Sequence, residues 1–454
     1  MKINSNLLDK ISIIYAMIPL FIFLLGFLKL PIAIFSSFIL FCVIGLFFKT
    51  LKNSFLNFDK KFLFLIVTLA FLWCLLSGIG GVFYQSTDWH MRNAIFRDLI
   101  NYSYPVYYDN GSALVYYIAN FLPGALFGKV ALFLNFSKET AFLVGNFFNF
   151  IYCFAGLVLI FLQTCFYSKA NKLKDFWVIL IVIFFSGLDI LLHRFNLPNF
   201  PHIERHYGLQ YSSNTTLLFW VYNQAIIPWV LTLLFIKKSR YVQNYAILAT
   251  LMLFCSPLAF IGFSFYLFWS AFCNLVKRLK TKYFLKYLKR IFNLQNILTL
   301  LFLFPIVYLY ISSNEAASLE ELNIPYYRFV LFPAYLFIFL EAGVYLLLLI
   351  DKFSKNLIYL FTVIQLVLIA PFIRIGTECD FVMRMSIPAL FVLMIFIIQF
   401  LKDRKTSKTQ KTIMTILLLF GLVTPCVEIC RTSCSLSTTR RRYLHMRAGR
   451  SRWP

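Results

Sequence analysis

Residues 86–98 read STDWHMRNAIFRD and set Asp88, His90, Arg92, Arg97 and Asp98 in one short segment directly after an apolar run. Charged groups beside a bilayer are costly, and where they occur they mark function. A carboxylate at the mouth of a membrane-embedded cavity can take a proton from an acceptor hydroxyl while guanidinium groups hold a phosphate leaving group. Asp88 is the residue suited to be that base. The simpler alternative makes it the N-cap of a helix running from Trp89 to Ile100. On that helix His90, Asn93, Arg97 and Asn101 form a polar stripe, and Met91, Ile95 and Leu99 an apolar one, as on a helix lying along a membrane surface.

Further chemistry collects in three other segments. His202, Glu204 and His206 stand at alternate positions in a loop. Their types suit a metal, but the spacing is that of a strand and matches no strong metal motif, so hydrogen bonding to a substrate or to solvent is the preferred reading. Asp189 and Glu341 fall inside apolar runs, where a charge usually faces a cavity. Glu341, nearer the middle of its run, is the better candidate for lining a substrate site, with structural pairing as the alternative. The segment RIGTECDFVMR, residues 374–384, adds Arg374, Asp380 and Arg384.

Those residues must be positioned by membrane helices. The chain is 61% hydrophobic and 13% charged, and its apolar stretches are long enough to cross a hydrocarbon core. They fall at roughly 11–28, 31–48, 62–82, 140–166, 176–192, 213–236, 245–256, 258–275, 295–312, 329–350, 356–373, 385–401 and 411–424, which makes about thirteen spans in an all-α integral membrane protein. The segment 245–256 is short and ends at Ser256-Pro257, as a broken or re-entrant helix would. The first apolar run carries no small-residue cleavage site and reads as an uncleaved helix.

The net charge of +25 sits largely in Lys-rich loops at alternate span ends, including VKRLKTKYFLKYLKR at 276–290. There it orients the protein and gives no reason to invoke nucleic acid. Those loops are expected to be cytoplasmic, and residues 83–139, 193–212, 313–328 and 374–384 to face outward. The outward loops carry Arg92, Arg97, Arg194, Arg205, Arg328, Arg374 and Arg384 against only Lys129 and Lys138. Arg offers a planar fork for phosphate or carboxylate, so an anionic outer-face ligand is the natural inference. The alternative pairs these arginines with Glu204, Glu320, Glu321, Glu378 and Asp380 or lets them snorkel to headgroups.

Within the loop 83–139, the stretch 113–134 is apolar but broken at Pro123-Gly124, and is expected to lie along the interface as one or two amphipathic helices. Residues 1–430 read as one polytopic membrane domain. From Arg431 to Pro454 the basic residues are all Arg and the apolar periodicity disappears, so this tail differs in kind from the rest. Of the ten cysteines, most lie in apolar runs and none forms a CxxC pair, which argues against a thiolate metal site or a disulfide framework.

The blocks GIGGVFYQSTDWHMRNAIFRDLI, QYSSNTTLLFWVYNQAI and CDFVMRMSIPAL resemble stretches of bacterial multi-pass proteins of surface polysaccharide synthesis. With many spans and an Asp just after a span in a long first outward loop, the chain resembles the GT-C superfamily of membrane glycosyltransferases. Two spans precede the one leading into that loop, where the superfamily typically has one, and Asp88 lacks an adjacent second acid. The resemblance implies transfer of a sugar from a polyprenyl-phosphate-linked donor to a glycan or lipid acceptor at the extracytoplasmic face of a bacterial inner membrane. It implies Asp88 as base or acceptor-positioning group; no cofactor is expected, and a divalent metal is not indicated. His90, Arg92, Arg97, Asp98, Arg205, His206, Glu341, Arg374, Asp380 and Arg384 are the expected substrate-binding residues. An O-antigen-polymerase-like enzyme with arginine-held diphosphate is the nearest alternative. A lipid-linked sugar flippase, with Asp189 and Glu341 as coupling sites, is the more distant one, since no internal repeat supports it.

Overall fold

The computed structural model describes residues 1–109, 111–193, 203–206, 208–314, 322–323, 331–375 and 379–432. Arg194, His202, Glu320, Glu321, Arg328, Glu378 and the tail from 433 lie outside them. The described chain is overwhelmingly helical, and each of the expected apolar segments contains helix. In order these are α1 (Ser5–Phe27), α2 (Leu30–Lys49), α3 (Lys60–Leu76), α4 (Trp89–Asn101), α5 (Leu122–Phe133), α6 (Lys138–Ser168), α7 (Trp177–Phe184), α8 (Ile190–His193), α9 (Asn214–Gln224) and α10 (Ile226–Lys238). There follow α11 (Val242–Cys255), α12 (Pro257–Val276), α13 (Phe284–Ser312), α14 (Phe332–Phe353), α15 (Leu357–Phe372), α16 (Asp380–Met385), α17 (Ile387–Lys402) and α18 (Lys408–Thr432).

Of these, seven are long and apolar enough to cross a membrane, or eight if the pair α9 and α10, bent by 102°, is one span. The protein is therefore an integral, multi-pass, all-α membrane protein. The expected count of about thirteen is larger because several apolar runs hold shorter helices, α11, α15 and α17 among them, and others are interrupted. The run 62–82 stops being helical at Leu76, where Gly78, Gly80 and Gly81 take positive φ. At Gly78 a Cβ would stand 2.6 Å from the Tyr84 carbonyl oxygen, so the turn requires glycine. The run 176–192 holds only the eight residues of α7 before the chain extends at Phe185.

The bundle is built around α17, which is buried on every side and packs on α6, α10, α12, α14 and α15. A helix that is apolar all round belongs in such a place. The outer helices leave large side chains for lipid, as α2 does with Phe35, Phe38 and Phe41. The stretch 113–134 yields one helix, α5, and Pro123 sits in its first turn rather than breaking it. Its buried face is small: a Cβ on Gly124 would stand 2.7 Å from the Gly145 carbonyl, and one on Gly128 would stand 2.8 Å from Ile100. Small residues let the backbones of α5 and α6 approach closely.

At the end of the bundle bearing the Lys-rich loops, buried Asp9 of α1 joins Lys237 at 2.7 Å and Lys238 at 3.2 Å, both on α10. Gln163 of α6 donates to the same carboxylate at 3.0 Å. The only described sheets are antiparallel two-stranded pairs: β1 (Lys2–Asn4) with β2 (Phe55–Asn57), β3 (Arg205–His206) with β4 (Leu209–Gln210), and β5 (Leu322–Asn323) with β6 (Arg374–Ile375).

Candidate functional site

The glycine turn after α3 delivers the chain into the Asp88 segment. Gln85 donates to the Gly78 carbonyl at 2.9 Å and accepts from Asn93 at 2.8 Å, tying the turn to α4. Trp89, buried, donates its indole N–H to the Phe219 carbonyl at 3.1 Å and stacks on Tyr222 with centroids 5.1 Å apart. The start of α4 is thereby pinned to α9.

Asp88 precedes α4 but does not cap it. Its backbone is already helical, at φ −60° and ψ −23°, and its carboxylate accepts no backbone N–H. Instead Oδ2 accepts from Arg92 Nη2 at 3.3 Å, with the Asp88 side chain half exposed. The capping alternative is thus removed, because a side chain caps from an extended residue and this one is inside the turn. Arg92 is buried, and its Nε and Nη1 have no hydrogen-bond partner. The helix therefore buries Trp89, Arg92, Ile95, Phe96, Leu99 and Ile100, while Met91, expected on the apolar stripe, is 65% exposed.

Asp88 lines a cavity of about 200 Å³ with Arg205, Gln210, Thr216, Trp220, Asp380 and Arg384. Three segments distant in sequence therefore meet there, around residues 87–88, 205–221 and 379–384. Arg384 is largely buried; its Nη1 holds Asp380 Oδ2 at 2.7 Å, its plane lies 5.9 Å from the Tyr117 ring, and its Nε has no partner. Cys379 donates from Sγ to Gln210 Oε1 at 3.1 Å, tying α16 to β4. At β3, alternation sends Arg205 to the cavity and Glu204 and His206 to the buried side.

Glu204 Oε1 accepts from the Ser213 backbone N–H at 2.9 Å and from the Thr216 hydroxyl at 2.7 Å, so it sits at the N-terminus of α9. Burial nevertheless pushes its carboxyl up to about 7. His206 Nε2 lies 2.7 Å from the Ile203 carbonyl, and the described residues hold no His, Cys, Asp and Glu group arranged for a metal.

The chain matches no protein-family model, no curated protein and no solved structure. Geometry alone separates the sequence candidates. Asp88, Arg205, Asp380 and Arg384 come together, with Arg92 directly behind Asp88. Three others do not join them: His90 is exposed, Arg97 is exposed over the Phe142 ring at 4.5 Å, and Asp98 accepts from the Tyr108 hydroxyl at 3.2 Å. They decorate the outer face of α4. Glu341 is buried away from the cavity, and Arg374 is placed only by its backbone, paired with Asn323 in β6. Sequence reasoning passed over Thr87, Gln210, Thr216 and Trp220 as lining residues. For Gln210 and Thr216 the run QYSSNTT ahead of an apolar helix was the one mark, and small polar residues there suit caps equally well.

Proposed function

We propose that this protein is a membrane glycosyltransferase that moves a sugar from a polyprenyl-phosphate-linked donor to a glycan or lipid acceptor. On this reading the thirteen apolar segments cross or dip into a bacterial inner membrane, and residues 83–139 and 374–384 face outward. The observation that carries it is the meeting of the Asp88 carboxylate with Arg205 and Arg384 in one cavity. Asp88 takes the proton of the acceptor hydroxyl as that oxygen attacks the anomeric carbon. The arginine forks hold the phosphate that leaves, a task for which Lys is a poor substitute. Arg384 in the lining keeps an unpartnered Nε–H, and Arg92, with Nε and Nη1 unpartnered, stands behind Asp88 rather than in the lining. Trp220 offers an apolar wall for a sugar ring.

Those same unpartnered guanidinium donors favour one second reading, a polymerase that relies on arginine-held diphosphate rather than on a carboxylate base. Deleting the gene and profiling cell-surface and lipid-linked glycans tests both. Loss of a surface glycan with accumulation of its lipid-linked sugar donor is the expected result. Accumulation of complete lipid-linked repeat units favours the polymerase, and an unchanged profile contradicts both.

A further inference from the structure

Behind the wall of the Asp88 cavity lie three carboxyl groups that the proposed transfer does not use. Glu204 reaches the wall through Thr216, but its second oxygen, Oε2, is buried with no partner. Asp189, completely buried between α7 and α8, accepts on Oδ1 from its neighbour's Ile190 N–H at 2.9 Å and from the Thr424 hydroxyl at 2.7 Å. Its Oδ2 has no partner. Glu341, 1% exposed, has none on either oxygen.

The fold goes out of its way to bring Glu341 here. It sits on a π-helical turn, Phe339–Gly343, and widened turns of this kind are frequent at functional sites. The Leu340 carbonyl of that turn accepts from the Leu188 N–H at 3.3 Å. A Cβ on Gly187 would fall 2.1 Å from Glu341 Oε2, so only glycine leaves room for the carboxyl.

Glu341 packs against Gly187, two residues before Asp189, and Glu204 bonds Ser213, whose neighbour Asn214 donates its backbone N–H to the Phe185 carbonyl at 3.2 Å, so the stretch 185–189 gathers the three acids. None of them forms an ion pair with a Lys or Arg among the described residues. The other titratable groups facing them do not neutralise them. The Tyr345 phenol, on α14, donates to the Ser186 carbonyl at 3.1 Å. Glu428 of α18 is itself an acid, and it is held by Trp220 and Arg431. Next to Glu204, on β3, Arg205 faces the cavity and His206 is bonded to the Ile203 carbonyl. Three carboxylates gathered in a membrane protein with no cation on them among the described residues cannot all be ionised, and a proton is the ligand that both cancels the charge and supplies the missing hydrogen bonds.

We propose that Asp189, Glu204 and Glu341 form a proton-binding site that exchanges with the Asp88 cavity through the Thr216 hydroxyl. In the exchange step Thr216 gives its proton to Glu204 Oε1 and takes one from a donor in the cavity. Thr216 is unchanged, and the net movement is one proton from cavity to acid cluster. Under the transfer reading this gives the acceptor's proton a way out of the cavity, but the site is defined by its own residues and can be tested without any sugar.

The experiment is infrared titration of the purified protein in phospholipid vesicles, following the C=O stretch of protonated carboxyl groups. The expected wild-type band survives well above the ordinary carboxylate range and falls with a midpoint near 7. Glu204→Gln should remove the titrating part of the band, and Glu341→Gln, uncharged and of the same size, should lower its amplitude. Thr216→Val should leave the band but slow its exchange with deuterated water. The wild-type titration needs no variant, so a misfolded mutant does not spare the proposal. Absence of any protonated-carboxyl band at neutral pH overturns it, as does a titrating band identical in wild type, Glu204→Gln and Glu341→Gln. A normal band in a protein that makes no glycan would sink the transfer reading and leave the proton site standing.

Discussion

Trp220 donates its indole N–H to Glu428 Oε2 at 3.0 Å, so α18 holds a wall of the Asp88 cavity in place. Arg431 completes the arrangement, bonding Glu428 Oε1 at 3.1 Å with its plane 5.8 Å from the Trp220 ring. The helix thus continues in register through Arg431 to Thr432, two residues into the segment whose composition sets it apart.

Glu428→Ala removes the carboxylate that accepts from the half-buried Trp220 indole and Arg431 guanidinium, which should cost about 1–3 kcal/mol. Glu428→Gln keeps an acceptor for Trp220 and should cost less. Tryptophan-fluorescence thermal unfolding in detergent checks the order, and equal stability of both variants and wild type would mean that the contact does not support the wall.

Asp9 is the sole ion-pair partner, among the described residues, of both Lys237 and Lys238. Asp9→Asn strands two partly buried ammonium groups, and breaking a buried pair from one side costs about 3–5 kcal/mol. A sharp fall in the monodisperse fraction on size-exclusion chromatography is expected. Adding Lys237→Met and Lys238→Met should recover much of the loss.

The Lys bias predicts that residue 112 and residue 281 lie on opposite sides of the membrane. Single cysteines at Ser112 and Thr281, in a background with the native cysteines replaced, should label with an impermeant reagent from outside and only after permeabilisation, respectively. Labelling of both from one side would defeat the orientation and, with it, an outward-facing Asp88.

The raised Glu204 carboxyl makes stability depend on pH in a defined sense. Its folded form holds a proton that the unfolded chain, with an ordinary carboxyl, has already lost, so the stabilising contribution is full at low pH and disappears as pH rises through about 7. Melting temperature should therefore fall between about pH 5 and 7 in wild type, and Glu204→Gln should flatten that slope. A slope of the opposite sign that survives in Glu204→Gln would show that other groups govern it.

How much of this was legible in the sequence follows from what each feature depends on. Each apolar run contains helix, because burial in lipid or core is a local demand, while α4 and α16 lie outside those runs. It did not separate α9 from α10, since their bend leaves the hydropathy of 213–236 intact. Asp88, Arg205, Asp380 and Arg384 were visible as charges out of place. His90 and Arg97 carried the same mark but point away, because a helix shows each side and sequence alone does not say which faces inward. Thr216 and Trp220 carry no charge and needed the fold to reveal them. Arg92 shows the limit most clearly, for no apolar pattern predicts a guanidinium on the buried face of α4.

Whether Asp88 is a base in its arginine-lined cavity is read from the turnover of the Asp88→Asn protein. Asn keeps the size of the side chain and an acceptor for Arg92 but cannot take a proton. Since Asp88 does not cap α4, helix formation should be little affected. In cells lacking the native gene, and with protein amount measured alongside, glycan production by Asp88→Asn should fall about 100-fold or more. Arg384→Lys, which removes the fork but keeps the charge, should be impaired in the same assay. Normal glycan from well-expressed Asp88→Asn would contradict the base assignment, and normal glycan from both variants would remove this cavity as the site of transfer.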